Sequence, residues 1–137
     1  MKIAVPKGLK VAGPGRLVKE EAQPNKSVFT WNTSYPIHNY SLVFNVAKYH
    51  VAKRNYVTIV GNNVPMEYWV LPENIHRAEK HLDILAKSVR VQEKYFGEFP
   101  FINDKIGLVE TPHLGMEHQT MNAYGNKYRY TQVGGED

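Results

Sequence analysis

The sequence predicts an α+β chain in which an antiparallel β part comes first, followed by one helix and a small sheet. Three observations predict it. Residues 1–60 hold six short strand-like runs, punctuated by Gly, Pro and Asn. Between Ile75 and Phe96 the apolar period lengthens to that of a helix. Two more strand-like runs follow, at about 105–110 and 115–124.

In order, Lys2–Val5 alternates and Pro6-Lys7-Gly8 turns the chain. Lys10–Ala12 is a second strand, ended by Gly13-Pro14-Gly15, and Arg16–Glu20 is read as a third. A polar loop through Gln23-Pro24-Asn25 leads to Val28–Asn32, whose β-branched and aromatic residues favour a strand. Ser34-Tyr35-Pro36 is a turn. Tyr40–Tyr49 then reads as a longer strand with Leu42, Phe44 and Val46 on one face, and Tyr56–Val60 as another. Glu67–Leu71 is a seventh candidate, before Pro72.

The helix is placed at about residues 73–96. Ile75, Ala78, Leu82, Leu85, Val89 and Phe96 fall on one amphipathic stripe, read as core packing against a sheet. Pro72 and Glu73 are start signals, Gly97 is a stop signal, and Asp83 and Lys87 are spaced as an ion pair on the wet face. Lys105–Glu110 and Gly115–Tyr124 are the two strands of the small sheet, with a strand-like Tyr128-Arg129-Tyr130 beyond them. The composition changes near Tyr68–Pro72, which divides the chain into 1–70 and 71–137.

A length of 137 residues suits about one domain's worth of core. Hydrophobic and charged fractions of 42% and 22% are those of ordinary globular proteins. The net charge of +4 is spread along the chain with one short basic pair, Lys53-Arg54, so no nucleic-acid stripe is expected. No apolar run is long enough for a membrane span, and the absence of Cys excludes disulfides and thiolate metal sites. The N-terminus lacks an apolar signal core and reads as mature sequence.

Most of the chemical information lies in the stretch from Val109 to Gly125. Pro112 and Gly115 break the backbone, and Glu117 follows at once. On a strand from about 115 to 124, Glu117 and Gln119 would share a face. A carboxylate on a rigid strand beside a Gly-opened approach suits capture of a cationic group or a peptide backbone. The alternative from pattern alone is an edge strand with a solvated glutamate. For metal, His38, His50, His76, His81, His113 and His118 are the only histidines, and none begins a His-Glu-x-x-His. His76 and His81 would point about 140° apart on a helix, and Pro112 and Gly115 oppose a helix joining His113 to Glu117. No metal site and no catalytic set is expected within the chain.

Leu114-Gly115-Met116-Glu117-His118 resembles the Gly-Ala-Met-Glu-Asn exopeptidase motif of the aminopeptidase N family of zinc metallopeptidases. Tyr95-Phe96-Gly97-Glu98-Phe99-Pro100-Phe101 is similar to the aromatic-Gly-aromatic-Pro segment preceding that motif in the family. Upstream, Ile3–Leu9 with Gly15, then Trp31 and Pro36-Ile37-His38-Asn39-Tyr40, are similar to the last part of the family's N-terminal β domain. Leu114 stands where the motif has Gly, and His118 where it has Asn.

The resemblance implies that 1–70 is the end of that β domain and 71–137 the start of a thermolysin-like peptidase domain. It implies a piece stopping just short of the zinc-binding helix, in a parent that uses zinc. Glu117 would then pair with the free α-amino group of a peptide, with Gly115 and Met116 lining the cleft and offering backbone groups. The implied partners are peptide N-termini and the remainder of the catalytic domain, and the chain alone is expected to be inactive. Two other classes stay open. One is a non-catalytic β-rich binding module, which nine Tyr and two Trp would suit. The other is a catalytically dead family member serving as an interaction scaffold.

Overall fold

The computed structural model describes residues 1–129. Its strands are β1 (Lys2–Pro6), β2 (Lys10–Ala12), β3 (Arg16–Ala22), β4 (Lys26–Asn32), β5 (Asn45–Ala47), β6 (His50–Val57), β7 (Asn63–Val70), β8 (Ile106–Glu110) and β9 (Asn122–Tyr124). A 3₁₀ turn, Pro72–Arg77, leads into α1 (Ala78–Phe96). The fold is α+β. Antiparallel sheets β1-β4-β3 and β2-β5 precede a mixed sheet of order β6-β7-β8-β9. In that sheet β7 pairs antiparallel with β6 and parallel with β8, and β8 pairs parallel with β9. A parallel partner needs a crossover, and α1 supplies it.

The period of two along β7 explains how the mixed sheet sits. Val64, Met66, Tyr68 and Val70 face α1, where they pack with Ala78, Leu82, Val89 and Ile106. Trp69 points the other way, into a core with Val5, Val11, Phe29, Trp31 and Tyr49. Its ring lies 5.6 Å from that of Trp31. The mixed sheet is therefore a wall with one core on each face, and Val109, Met121 and Ala123 join the Trp69 side. Hydrogen bonds from β7 to β8 run across residue 70, so both sequence segments build this wall.

Several sequence expectations need correction. Tyr40–Tyr49 is not one strand: Asn39–Ser41 is a 3₁₀ turn, started where His38 Nδ1 accepts the Tyr40 amide, and only Asn45–Ala47 pairs, with β2. Leu42, Phe44 and Val46 are exposed. The strand read at Tyr56–Val60 lies earlier, at His50–Val57, because Thr58–Asn62 closes a turn onto β7. The expected helix at 73–96 starts as a 3₁₀ turn and becomes α-helical at Ala78. Its stripe holds at Ala78, Leu82 and Val89, but Ile75 and Phe96 are 48% and 87% exposed. Asp83 makes its close ion pair with Arg54 of β6, at 2.5 Å, with Lys87 adding a weaker favourable charge along the helix. Gly97 ends the helix at positive φ, 88°, but with ψ −177° it does not take the left-handed helical conformation expected of it. The strand at 115–124 shrinks to Asn122–Tyr124 plus one bridge from Met116 to Ala123. Thr120 at φ 61° breaks the rest, in a turn closed by the Met121 amide on the His118 carbonyl. Of the strand-like Tyr128-Arg129-Tyr130, Tyr128 sits at φ 56° in a turn, and Tyr130 lies outside the described residues.

Leu82 is fully buried between α1 and the sheet. Leu82→Ala is expected to cost about 2–5 kcal/mol in a urea melt, and Phe96→Ala under about 0.5 kcal/mol. Equal losses would mean that α1 packs by another face.

Candidate functional site

Glu117 lies on an excursion between β8 and β9, and three ties hold that excursion. At its base the Thr111 amide donates to the Tyr124 carbonyl at 2.8 Å. Met116 and Ala123 exchange two backbone hydrogen bonds, of 3.2 and 2.8 Å. At the far side Thr120 Oγ1 accepts the Gly15 amide at 2.8 Å, fastening the excursion to the loop after β2. Two glycines allow the strands to approach this closely. A Cβ on Gly125 would stand 1.4 Å from the His113 carbonyl oxygen, and one on Gly115 would stand 3.0 Å from that of Ala123.

The tip of the excursion meets the segment before β5. The Tyr40 hydroxyl donates to Glu117 Oε1 at 2.5 Å. Gln119 Nε2 donates to the Pro36 carbonyl at 3.3 Å. The His118 ring lies 5.2 Å from that of Tyr40, with His38 on Tyr40 at 6.4 Å. Glu117 and Gln119 do not share a strand face, yet both reach the Pro36–Tyr40 segment. The donated hydroxyl holds the Glu117 carboxyl below the usual carboxylate range, and the same bond pushes the Tyr40 phenol up. Oε2 of Glu117 meets no other residue's donor among the described residues. The result is an exposed, ionised carboxylate whose Oε1 is held by Tyr40 and which also feels its own backbone amide.

Gly115, Met116 and Glu117 are thus together and exposed. One correction concerns Met116, whose amide and carbonyl are both engaged by Ala123. Only its side chain, 43% exposed, is open to a ligand. Among the described residues no group of three His, Cys, Asp or Glu side chains is placed to hold a metal ion. His113 Nδ1 lies against the Leu114 carbonyl, and His81 is buried among Tyr68, Tyr124 and Tyr128.

Sequence reasoning missed four residues that shape this region. Tyr40 is one. Lys105 is another, 1% exposed, with Nζ donating to the carbonyls of Gly13 at 2.8 Å and of Gly15, and lying 4.3 Å from the Trp31 ring centre. Burial pushes its amine down to about 7. Glu110 accepts from the Leu71 amide at 2.9 Å and Asn74 Nδ2 at 2.6 Å, so it caps the 3₁₀ turn before α1. Glu93, on α1, accepts from the Tyr56 hydroxyl and the Ile59 and Phe99 amides. It also floors a cleft of about 230 Å³ beside Phe96 and Pro100. Tyr40 falls in the Pro36–Tyr40 segment that resembles the family, but no sequence signal gives any of the four its role, because their partners are set by the fold.

No protein-family model and no curated protein matches the sequence. Solved structures do match in fold. Legionella pneumophila aminopeptidase A, in complex with aspartic acid, is similar with a TM-score of 0.75 at 16% identity, over 95% of this chain and 16% of that one. An M1 zinc metallopeptidase mutant from Deinococcus radiodurans, bound to a Tyr-Ser-Ala substrate, is similar with a TM-score of 0.69 at 17% identity, over 90% of this chain and 28% of that one. A two-domain M1 zinc metallopeptidase mutant bound to L-arginine is similar with a TM-score of 0.69 at 16% identity, over the same shares. The chain therefore has the fold of part of an M1 aminopeptidase, and spans 16–28% of the length of these structures.

Proposed function

We propose that this chain is the part of a zinc-dependent aminopeptidase that captures the amino terminus of the peptide substrate. The observation that carries the reading is Glu117, an exposed carboxylate whose Oε1 is held by Tyr40. A substrate ammonium donates charge-assisted hydrogen bonds to such a group. Met116 supplies an apolar side chain next to it, and Gly115 lets this segment lie close against Ala123. On this reading residues 1–70 close a β domain and 71–137 open the peptidase domain, with peptide N-termini and the rest of that domain as partners.

Zinc supplies a Lewis acid and an activated water in such enzymes. On this reading the zinc ligands belong to the rest of the parent protein, and the chain alone is expected to be inactive. The role of this chain's own residues is to bind and orient. The test is Glu117→Gln in the parent enzyme, on matched free and N-acetylated peptides. We expect kcat/KM for the free amine to fall about tenfold or more, with zinc content and the acetylated substrate unaffected. Equal loss on both substrates, or loss on neither, would sink the capture role.

A further inference from the structure

Glu117 sits on an excursion whose own strand pairing is one bridge, so something else must fix the direction of its carboxylate. Its partner is 77 residues away in sequence. The Asn39–Ser41 turn presents Tyr40, and the phenol reaches across to Oε1 at 2.5 Å. His118, next to Glu117, packs its ring at 5.2 Å from the same phenol. Gln119 adds a hydrogen bond to Pro36, on the same segment as Tyr40. Three successive residues of the excursion therefore lean on Pro36–Tyr40, and only the Tyr40 contact touches the carboxylate.

We propose that Tyr40 is a positioning residue for amino-terminus capture. Its hydroxyl occupies Oε1 of Glu117 so that Oε2 is presented to the ammonium, while His118 keeps the phenol in line. This rests on the reading that Glu117 binds the substrate's amino group. A carboxylate free to rotate offers either oxygen in any direction and loses that freedom on binding. One already held by a neutral donor keeps its charge and loses less. A phenol suits the task because it donates one hydrogen bond and brings no positive charge to compete with the ammonium. The arrangement also gives His118, the departure from the family motif, a place: its ring supports Tyr40 in this chain.

The experiment is a titration of the 137-residue chain, followed by backbone amide NMR, with Leu-Gly-Gly and its N-acetyl form. Wild type, Tyr40→Phe, Glu117→Gln and the double variant are compared. Tyr40→Phe keeps the ring against His118 and removes only the hydroxyl. The expected result is a free-peptide Kd raised about three- to tenfold by Tyr40→Phe, unchanged weak binding of the acetylated peptide, and no further loss when Tyr40→Phe is added to Glu117→Gln. The Glu117 carboxyl should also titrate at higher pH in Tyr40→Phe. If Glu117→Gln weakens binding and Tyr40→Phe does not, the proposal falls and capture by Glu117 stands. Equal weakening of both peptides by Tyr40→Phe overturns it too. A wild type that does not prefer the free amine, or a Glu117→Gln variant that binds like wild type, overturns the capture reading and this proposal with it.

Discussion

Gly125→Ala is expected to leave the chain unable to close the Glu117 excursion. The added Cβ would stand 1.4 Å from the His113 carbonyl oxygen and 2.4 Å from its carbon. Both are backbone atoms, so no rotamer change relieves the clash. Either Gly125 or the segment from Thr111 to His113 must move, and Thr111 is bonded to Tyr124, one residue away. The neighbours Met121 and Ala123 belong to the Trp69 core, so the displacement reaches buried packing. The expected cost is above about 4 kcal/mol, read as a collapse of the urea midpoint or as insoluble protein. A folded variant with wild-type shifts at Met116 and Ala123 would show that the approach is looser than described. Gly115→Ala is a useful control, since its Cβ would meet the Ala123 oxygen at 3.0 Å and needs only a small shift.

Lys105→Met should have the next largest effect, and it should depend on pH. The methionine keeps much of the volume but abandons the carbonyls of Gly13 and Gly15, which are buried. Leaving both unsatisfied is expected to cost about 2–4 kcal/mol. Burial lowers the Lys105 amine from 10.5 to about 7, against the pull of Glu67 and Asp104 and with the help of Lys53 and Arg16. Between those two values the unfolded chain binds a proton that the folded chain does not. Wild-type stability therefore rises with pH from about 7 towards 10, by at most ~1.4 kcal/mol per unit from this one group. The variant lacks that slope, so its deficit widens as the pH rises. Urea midpoints of both proteins at pH 7 and 9.5 decide the matter. A constant gap would mean that folding leaves the Lys105 amine unshifted, and a narrowing one that the folded state prefers the ammonium form.

What was legible in the sequence follows from what is local. The stripe through Ala78, Leu82 and Val89 depends on helical spacing alone, and the structure buries all three. Phe96 lies on the same stripe and is 87% exposed, because whether a helix end is covered depends on what packs there, not on its period. The Met116–Tyr124 alternation looked like a strand because side chains of suitable type alternate there. The chain instead uses Thr120 at positive φ to reach Gly15, a partner 105 residues away. Lys105 enters the sequence reading only as the start of a strand, and its burial is decided by two carbonyls of the Gly13-Pro14-Gly15 loop. The motif around Glu117 was legible by resemblance. Its orientation was not, since Tyr40 enters the site through a 3₁₀ turn where the side-chain pattern predicts a strand.

The parallel pairing of β7 with β8 also sets an order in time. The β6–β7 hairpin closes over a short turn, and such units form in about 1–10 μs, with helices of this length forming in about a microsecond or less. β8 pairs with β7 only across the whole of α1, so its docking closes a far longer loop and is expected to follow the hairpin, with β9 pairing on β8 in turn. The excursion bearing Glu117 lies between the last two arrivals. Because Met121 and Ala123 are part of the Trp69 core, any opening that frees this excursion must also loosen that side of the wall.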